Sequence, residues 1–262
     1  MGIFSLLILA VLQGLTEFLP VSSSAHLVLM QHFADFEAEP GPELELVLHG
    51  GTLLSVLFFY RRRILELLTG LWRREQQSWR YAGWLLLSCI PAAAVYFLAG
   101  EQLDEAFNQP LLSALLLLVT GAMLLSTRWL SRLQLSATLN LPRVLAIALA
   151  QAFALLPGIS RSGSTIVTAR WLGISAPEAA EFSFLMSIPL LAGGILLKAK
   201  AIMSLTDSTV ESLGLLLACL TATIVGILAL KALSWCQVLG KFWYFGVYCL
   251  ALGLTAVAFL IC

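Results

Sequence analysis

The chain alternates long apolar runs with short polar stretches. A helix needs roughly 17–25 apolar residues to cross a bilayer core of about 30 Å, and six runs are about that long. They cover residues 44–60, 81–100, 111–127, 182–197, 212–230 and 242–262. The pattern therefore predicts six transmembrane helices.

Two further apolar stretches, residues 1–34 and 143–173, are interrupted near their centres. The interrupting residues are Glu17, Pro20, Ser22, Ser23, Ser24 and His26 in the first stretch, and Pro157, Gly158 and the polar run 160–165 in the second. Irregular backbone at membrane depth survives only inside protein or beside a water-filled cavity. We therefore predict two re-entrant helix pairs, each with a polar break between two short helices.

Each interrupted stretch precedes three predicted spans, which suggests an internal repeat. A shift of 138 residues places Gln13 on Gln151 and residues 22–24 on residues 160–162, although two unrelated kinks would also explain the breaks. Three spans are an odd number, so the repeats would be inverted and their breaks could meet at a central site. We predict an all-α polytopic membrane protein, a single membrane domain of residues 1–262 with repeats at 1–130 and 138–262.

Composition excludes the soluble classes of protein. Hydrophobic residues make up 60% of the chain and charged residues 11%, with a mean hydropathy of +0.92, whereas soluble domains carry about 25% charged residues. The 15 basic residues balance the 15 acidic ones, so no basic excess exists for binding nucleic acid. Membrane lipids are the expected surroundings.

The basic residues predict how the chain is oriented. With six spans, 12 of the 15 basic residues fall on one side, which the positive-inside rule assigns to the cytoplasm. The twelve are Arg61, Arg62, Arg63, Arg73, Arg74, Arg80, Arg128, Arg132, Arg143, Arg170, Lys231 and Lys241. Both termini are then expected outside the cytoplasm.

Three ionisable residues lie at membrane depth, where such side chains are costly and usually functional. They are Glu17, His26 and Arg161. Gln13 and Glu17 are four residues apart and share one face of a helix. The run 157–165 combines a Pro-Gly turn, an arginine and several hydroxyls at a helix start, which is typical of anion binding. Together these residues suit phosphoryl chemistry, with the arginine and N–H groups holding phosphate and the carboxylate binding a divalent cation or acting as base.

Each of these residues also has a structural interpretation. Glu17 could form a buried ion pair with Arg161, and His26 could cap a helix or lie at the interface. Serine and threonine in membrane helices usually bond the backbone. We expect His32 and His49, near the outer ends of their helices, to be structural, and Glu181 to compensate a helix dipole.

Two motifs resemble the signatures of the undecaprenyl-diphosphatase family, the bacitracin-resistance membrane phosphatases. The first is Gln13-Gly-Leu-Thr-Glu17-Phe-Leu-Pro20-Val-Ser-Ser-Ser-Ala-His26, and the second is Pro157-Gly-Ile-Ser160-Arg161-Ser162-Gly-Ser-Thr165. Glu181-Phe-Ser-Phe184 followed by Pro189 is also similar to that family. The resemblance covers essentially the whole chain.

The resemblance implies an enzyme that removes one phosphate from undecaprenyl diphosphate in the bacterial plasma membrane, with the active site on the outer face. It implies help from Mg²⁺ or Ca²⁺, a polyprenyl diphosphate substrate and a homodimer. The site residues are then expected as follows: Glu17, His26, Arg161 and Ser23 catalytic; Ser22, Ser160, Ser162, Gly163 and Thr165 binding the diphosphate; Glu17 and Gln13 binding the metal. Gln13 stands where many members have Glu, which keeps a ligand oxygen but loses a charge.

Two other functions stay open at this point. Broken inverted repeats are also typical of transporters, so an anion or lipid-phosphate transporter or flippase is the alternative. An intramembrane serine protease would leave Arg161 without a role.

Overall fold

The computed structural model describes residues 3–33, 42–130, 133, 135–197 and 209–261. All regular secondary structure in these residues is helical. The helices are α1 (Ile3–Thr16), α2 (Ser23–Phe33), α3 (Pro42–Phe59), α4 (Arg61–Trp72), α5 (Gln76–Leu87), α6 (Ile90–Phe107), α7 (Pro110–Leu130), α8 (Leu141–Phe153), α9 (Arg161–Trp171), α10 (Ala176–Leu197), α11 (Thr209–Val238) and α12 (Tyr244–Ile261).

Five stretches of the described residues are long and apolar enough to cross a membrane. They are Gln76–Phe107, Pro110–Leu130, Ala176–Leu197, Leu213–Val238 and Tyr244–Ile261, and each contains most of one predicted span. The remaining predicted span, residues 44–60, corresponds to α3, whose apolar part Leu46–Phe59 is shorter. The chain is therefore a multi-pass, all-helical membrane protein.

The predicted span 81–100 is interrupted in the structure. Helix α5 ends at Leu87 and α6 begins at Ile90, with Pro91 in the first turn of α6. Proline has no backbone N–H and its ring clashes with the carbonyl four residues earlier, so a continuous helix through Pro91 is disfavoured. Helix α4 lies where we expected only a basic loop.

Both interrupted stretches consist of two short helices around a turn, as predicted. Residues 17–22 separate α1 from α2, and residues 154–160 separate α8 from α9. One residue in each turn has a positive φ angle, 66° at Ser22 and 103° at Gly158. One residue at each break therefore has a positive φ angle, which right-handed helices and extended strands do not contain.

Helices α7 and α12 pack closely against each other because glycines lie where they cross. A Cβ atom on Gly246 would lie 2.7 Å from the carbonyl oxygen of Gly121, and one on Gly121 would lie 3.0 Å from that of Gly246. Small residues let membrane helices approach at backbone distance. Helix α7 also contacts α2 and α9, so it supports a short helix from each interrupted stretch.

Candidate active site

The two breaks meet at a buried ion pair. Arg161 Nη2 donates to Glu17 Oε1 at 2.5 Å, and the two side chains are 14% and 7% exposed. The sequence interval between them is 144 residues, so this contact joins the two halves of the chain. An unpaired charge buried here would cost several kcal/mol, and the pair removes most of that cost.

The turn at Ser22 orients the start of α2. Its carbonyl oxygen accepts two hydrogen bonds from His26, one from the backbone N–H at 3.3 Å and one from Nδ1 at 2.8 Å. The Ser22 hydroxyl oxygen accepts from the N–H of Ala25 at 3.3 Å and lies 3.1 Å from Ser24 Oγ. The left-handed conformation of Ser22 thus aims one carbonyl at the imidazole of His26.

The turn at Gly158 is anchored to α7 through Thr120. The Thr120 hydroxyl donates to the carbonyl of Gly158 at 2.8 Å and accepts from the N–H of Ser160 at 3.0 Å. A side chain at position 158 would collide with the carbonyl of Ser113 and with Leu116. This close fit is why glycine, which also tolerates the positive φ, is needed in the turn.

Ser160 begins α9 as its N-cap residue. Its hydroxyl oxygen accepts from the N–H of Gly163 at 3.1 Å and lies 3.3 Å from Ser162 Oγ. Thr165 donates to the carbonyl of Arg161 at 2.8 Å and lies 2.6 Å from Ser183 Oγ. These predicted diphosphate-binding hydroxyls are buried and shape the first turn of α9.

The second carboxylate oxygen of Glu17 is the centre of a polar cluster. Ser23 Oγ and Gln13 Nε2 each donate to Glu17 Oε2 at 3.1 Å. His49 Nε2 lies 3.5 Å from the same oxygen and 3.3 Å from Gln13 Nε2. Gln13 Oε1 is buried without a hydrogen-bond partner among the described residues, which costs about 1–3 kcal/mol.

His26 follows Ser23 by three residues on α2 and contacts Tyr248 on α12. Because a carbonyl oxygen only accepts, Nδ1 of His26 carries the hydrogen in its bond to Ser22. In the neutral imidazole Nε2 then has the lone pair, and the Tyr248 hydroxyl donates to it at 2.7 Å. The two rings stack at a centroid distance of 5.7 Å. The nitrogen able to accept a proton is therefore Nε2.

Only one nitrogen of the Arg161 guanidinium, Nη2, donates a hydrogen bond to Glu17. Its Nη1 atom is buried and has no hydrogen-bond partner among the described residues. An arginine presents its donors in a planar fork that fits phosphate oxygens. The Nη1 atom is therefore a donor that Glu17 does not use, beside the start of α9.

The structure thus brings together Gln13, Glu17, Ser23 and Arg161, as the sequence predicted. It also places three residues that we did not assign to the site: His49, Tyr248 and Thr120. An ionisable residue within an apolar helix was a signal for His49, but its contact with Glu17 depends on how α3 packs against α1. No sequence signal identified the other two.

Glu181, which we expected only to compensate a helix dipole, also forms an ion pair with a side chain of another helix. Arg63 Nε donates to Glu181 Oε1 at 2.8 Å, and this ion pair links α4 to the start of α10. Glu181 therefore belongs to a separate contact on the basic side of the protein.

Comparison with known proteins gives a consistent family match. The profile described as Bacitracin resistance protein BacA matches residues 6–255. A protein named undecaprenyl-diphosphatase from Desulfatibacillum aliphaticivorans is 35% identical, with 95% of this chain and 96% of its own length covered. Proteins of the same name from Methanococcus maripaludis and Moorella thermoacetica are 35% and 38% identical, with 97% and 89% of this chain and 99% and 88% of their own lengths covered.

Replacing Thr120 by valine is expected to destabilise the second break. The carbonyl of Gly158 and the N–H of Ser160 would lose their partner while staying buried, at about 1–3 kcal/mol for each group. Thermal or denaturant unfolding of the purified protein in detergent measures the loss, which we expect to be about 2–4 kcal/mol.

Two control variants make the Thr120 measurement specific. Thr120→Ser keeps the hydroxyl and is expected to stay much closer to the unaltered protein. Thr255→Val removes an exposed hydroxyl that bonds only the carbonyl of Ala251, and is expected to change stability by less than about 0.5 kcal/mol. Equal stability of Thr120→Val and Thr255→Val would contradict the anchoring role.

Proposed function

The chain belongs to the bacitracin resistance protein BacA family, and we propose that it is an undecaprenyl-diphosphatase, the activity for which its relatives are named. The reaction converts undecaprenyl diphosphate to undecaprenyl phosphate and inorganic phosphate, which recycles the lipid carrier of cell-wall synthesis. The observation that carries the proposal is the buried contact of Glu17 with Arg161 at the start of α9.

We propose that the diphosphate binds between Arg161 and the first turn of α9. The unpartnered Nη1 of Arg161 is a donor for a phosphate oxygen, and a helix N-terminus favours negative charge. The shape of this first turn is set by Ser160, Ser162, Gly163 and Thr165. The turn before α2 is shaped in the same way by Ser22. The phosphate would be held by fixed donors in a site with little water, where such contacts are strong.

We propose that Glu17 accepts a proton from the attacking group. Ser23 donates to its Oε2 atom at 3.1 Å, which is the arrangement of a nucleophile or a bound water activated by a base. His26 offers a second candidate, because the lone pair of its Nε2 atom is available once the Tyr248 hydroxyl moves away. The attack on the terminal phosphorus would come from Ser23, from His26 or from a water, and the bond from that phosphorus to the bridging oxygen would break so that undecaprenyl phosphate leaves. If a side chain attacks, a water would then hydrolyse the phosphorylated side chain and release inorganic phosphate.

The site also fits a divalent cation, such as Mg²⁺ or Ca²⁺. Carboxylate and amide oxygens are the ligands these ions prefer. The amide of Gln13 contacts Glu17 through its nitrogen, and its oxygen is buried without a hydrogen-bond partner among the described residues. No three His, Cys, Asp or Glu side chains lie close enough to hold a metal in the described part of the chain, so Gln13 would have to complete the donor set. When bound, the ion would place positive charge next to the diphosphate.

We further propose that the six-span inverted repeat describes this fold. Under the shift of 138 residues α3 corresponds to α10 and α7 to α12, and the two members of each pair contact one another, which supports a two-fold relation between the halves. Helix α3 has 18 residues and so extends about 27 Å, close to the thickness of the bilayer core. The re-entrant pairs would then bring their breaks to the midplane. The homodimer implied by the resemblance stays a prediction.

Release of phosphate from undecaprenyl diphosphate by the purified protein tests the enzymatic function directly. We expect inorganic phosphate to appear in detergent solution, where no second compartment exists, and to fall sharply when a chelator removes divalent cations. A protein that only moves lipid phosphates between two compartments would release none, and that result would contradict the proposal.

Replacement of Arg161 by lysine is expected to slow this reaction by roughly 30–1,000-fold, which corresponds to about 2–4 kcal/mol. Lysine keeps the charge but lacks the fork that contacts Glu17 and phosphate at once. The steady-state rate of phosphate release is the measurement, with Arg62→Lys on the exposed side of α4 as the control. A turnover close to that of the unaltered protein would reduce Arg161 to a structural partner of Glu17.

Sidedness can be tested by cysteine labelling in a variant without the five native cysteines. We propose that the basic side is cytoplasmic and that both termini and the active site face outward. Asn108→Cys, between α6 and α7, should react with an impermeant maleimide in intact cells. Gln76→Cys, at the start of α5, should react only after the membrane is opened. The reverse pattern would invert the topology.

A further inference from the structure

Three polar atoms beside Glu17 form a small triangle. Gln13 Nε2 lies 3.1 Å from Glu17 Oε2 and 3.3 Å from His49 Nε2, and the last two atoms lie 3.5 Å apart. Donors that share one small cation at 2.0–2.2 Å lie roughly 3.0–3.5 Å from one another, because neighbouring ligands make angles of about 90–110° at the ion. The triangle therefore has the dimensions of one face of a coordination shell.

The position of the Gln13 amide shows how the triangle would become a set of three ligands. Its nitrogen now occupies one corner, while Oε1 is buried and has no hydrogen-bond partner among the described residues. Rotation of the amide by 180° exchanges these two atoms. The corner would then hold a carbonyl oxygen next to a carboxylate oxygen and an imidazole nitrogen, and a cation bound between them would replace the hydrogen bond that the amide nitrogen now donates to Glu17.

The hydrogen bonds already present favour the ligating form of His49. Gln13 Nε2 has two hydrogens and no acceptor capacity, so a hydrogen bond between it and His49 Nε2 at 3.3 Å uses the lone pair of the imidazole nitrogen. A neutral imidazole with a free lone pair on Nε2 is the form that binds metals. Arg161 occupies the other carboxylate oxygen, which leaves Oε2 of Glu17 as the one that faces the triangle.

We propose that His49 is a third protein ligand of the divalent cation, with Glu17 and Gln13. The proposal rests on the cation in the proposed function and adds a residue and a selectivity to it. Imidazole nitrogen suits transition ions such as Fe²⁺, Ni²⁺ and Zn²⁺, and the affinity of a mixed nitrogen and oxygen site rises from Mn²⁺ to Co²⁺, whereas Mg²⁺ and Ca²⁺ prefer oxygen ligands alone. The mixed site would bind Mn²⁺ or Co²⁺ more tightly than Ca²⁺.

Equilibrium binding of Mn²⁺ to the purified, metal-free protein in detergent tests this assignment without substrate. Loss of the free Mn²⁺ signal in electron paramagnetic resonance measures binding, and titration with Ca²⁺ measures competition. We expect one Mn²⁺ site that is weakened at least tenfold by His49→Ala and similarly by Glu17→Gln. His32→Ala, at the end of α2, is the control and should bind Mn²⁺ as the unaltered protein does.

A second variant separates ligation from a structural role. His49→Asp exchanges the nitrogen for oxygen, so it should restore cation binding relative to His49→Ala and shift the preference toward Ca²⁺. If His49 merely forms an ion pair with Glu17, its removal would free the carboxylate and Mn²⁺ binding would stay equal or become tighter. That result, or a lack of Mn²⁺ binding by the unaltered protein, would overturn the proposal.

Failure of the ligand assignment and failure of the proposed function give different results. The phosphatase function fails if the unaltered protein releases no phosphate from undecaprenyl diphosphate with Mg²⁺, Ca²⁺ or Mn²⁺. The assignment of His49 fails on the binding measurement alone, even when phosphate is released. Should His49→Ala not fold, the pair His49→Asn and His49→Asp gives the same comparison of selectivity.

Discussion

The buried ion pair of Glu17 with Arg161 is the contact on which the rest of the arrangement depends. Each charge alone would be costly in an apolar membrane interior, and neither half of the chain supplies both. The first break brings the carboxylate and the second brings the guanidinium, so each interrupted stretch supplies the partner that the other one needs. Removing either charge leaves the other buried and unpaired, which is why the two halves must fold as one unit.

This dependence explains why both turns are so strongly constrained. A non-glycine residue in the left-handed region costs of order 1–3 kcal/mol and persists only where its surroundings require it. Ser22 is held there by its hydrogen bonds to Ala25 and His26. Gly158 is held by Thr120 on α7, and the glycine crossing of α7 with α12 fixes α7 itself. The conformations that place Glu17 and Arg161 are thus maintained by contacts outside the ion pair.

The features predicted from sequence are those with local causes. Pro20 and Gly158 interrupt apolar runs, so the breaks could be predicted directly from the sequence. The ion pair of Glu17 with Arg161 was the structural alternative to their roles in phosphoryl chemistry. Pro91 is the same kind of signal for the break between α5 and α6, but the run around it contains no charged residue and so resembles an unbroken span. His49 and Tyr248 reach the site through helix packing across 36 and 222 residues, and single-sequence patterns contain no information about that packing.

Gln13 shows how charge balance shapes such a site. Glu17 and Arg161 already neutralise each other, so the resting site has no net charge from these two residues. A second carboxylate at position 13 would add a buried negative charge that only a bound cation could balance, and it would disfavour the fold whenever the cation is absent. The amide avoids this cost because it is neutral, yet it keeps an oxygen able to bind the ion. An amide at position 13 is thus compatible with a folded site both before and after the proposed cation and diphosphate bind.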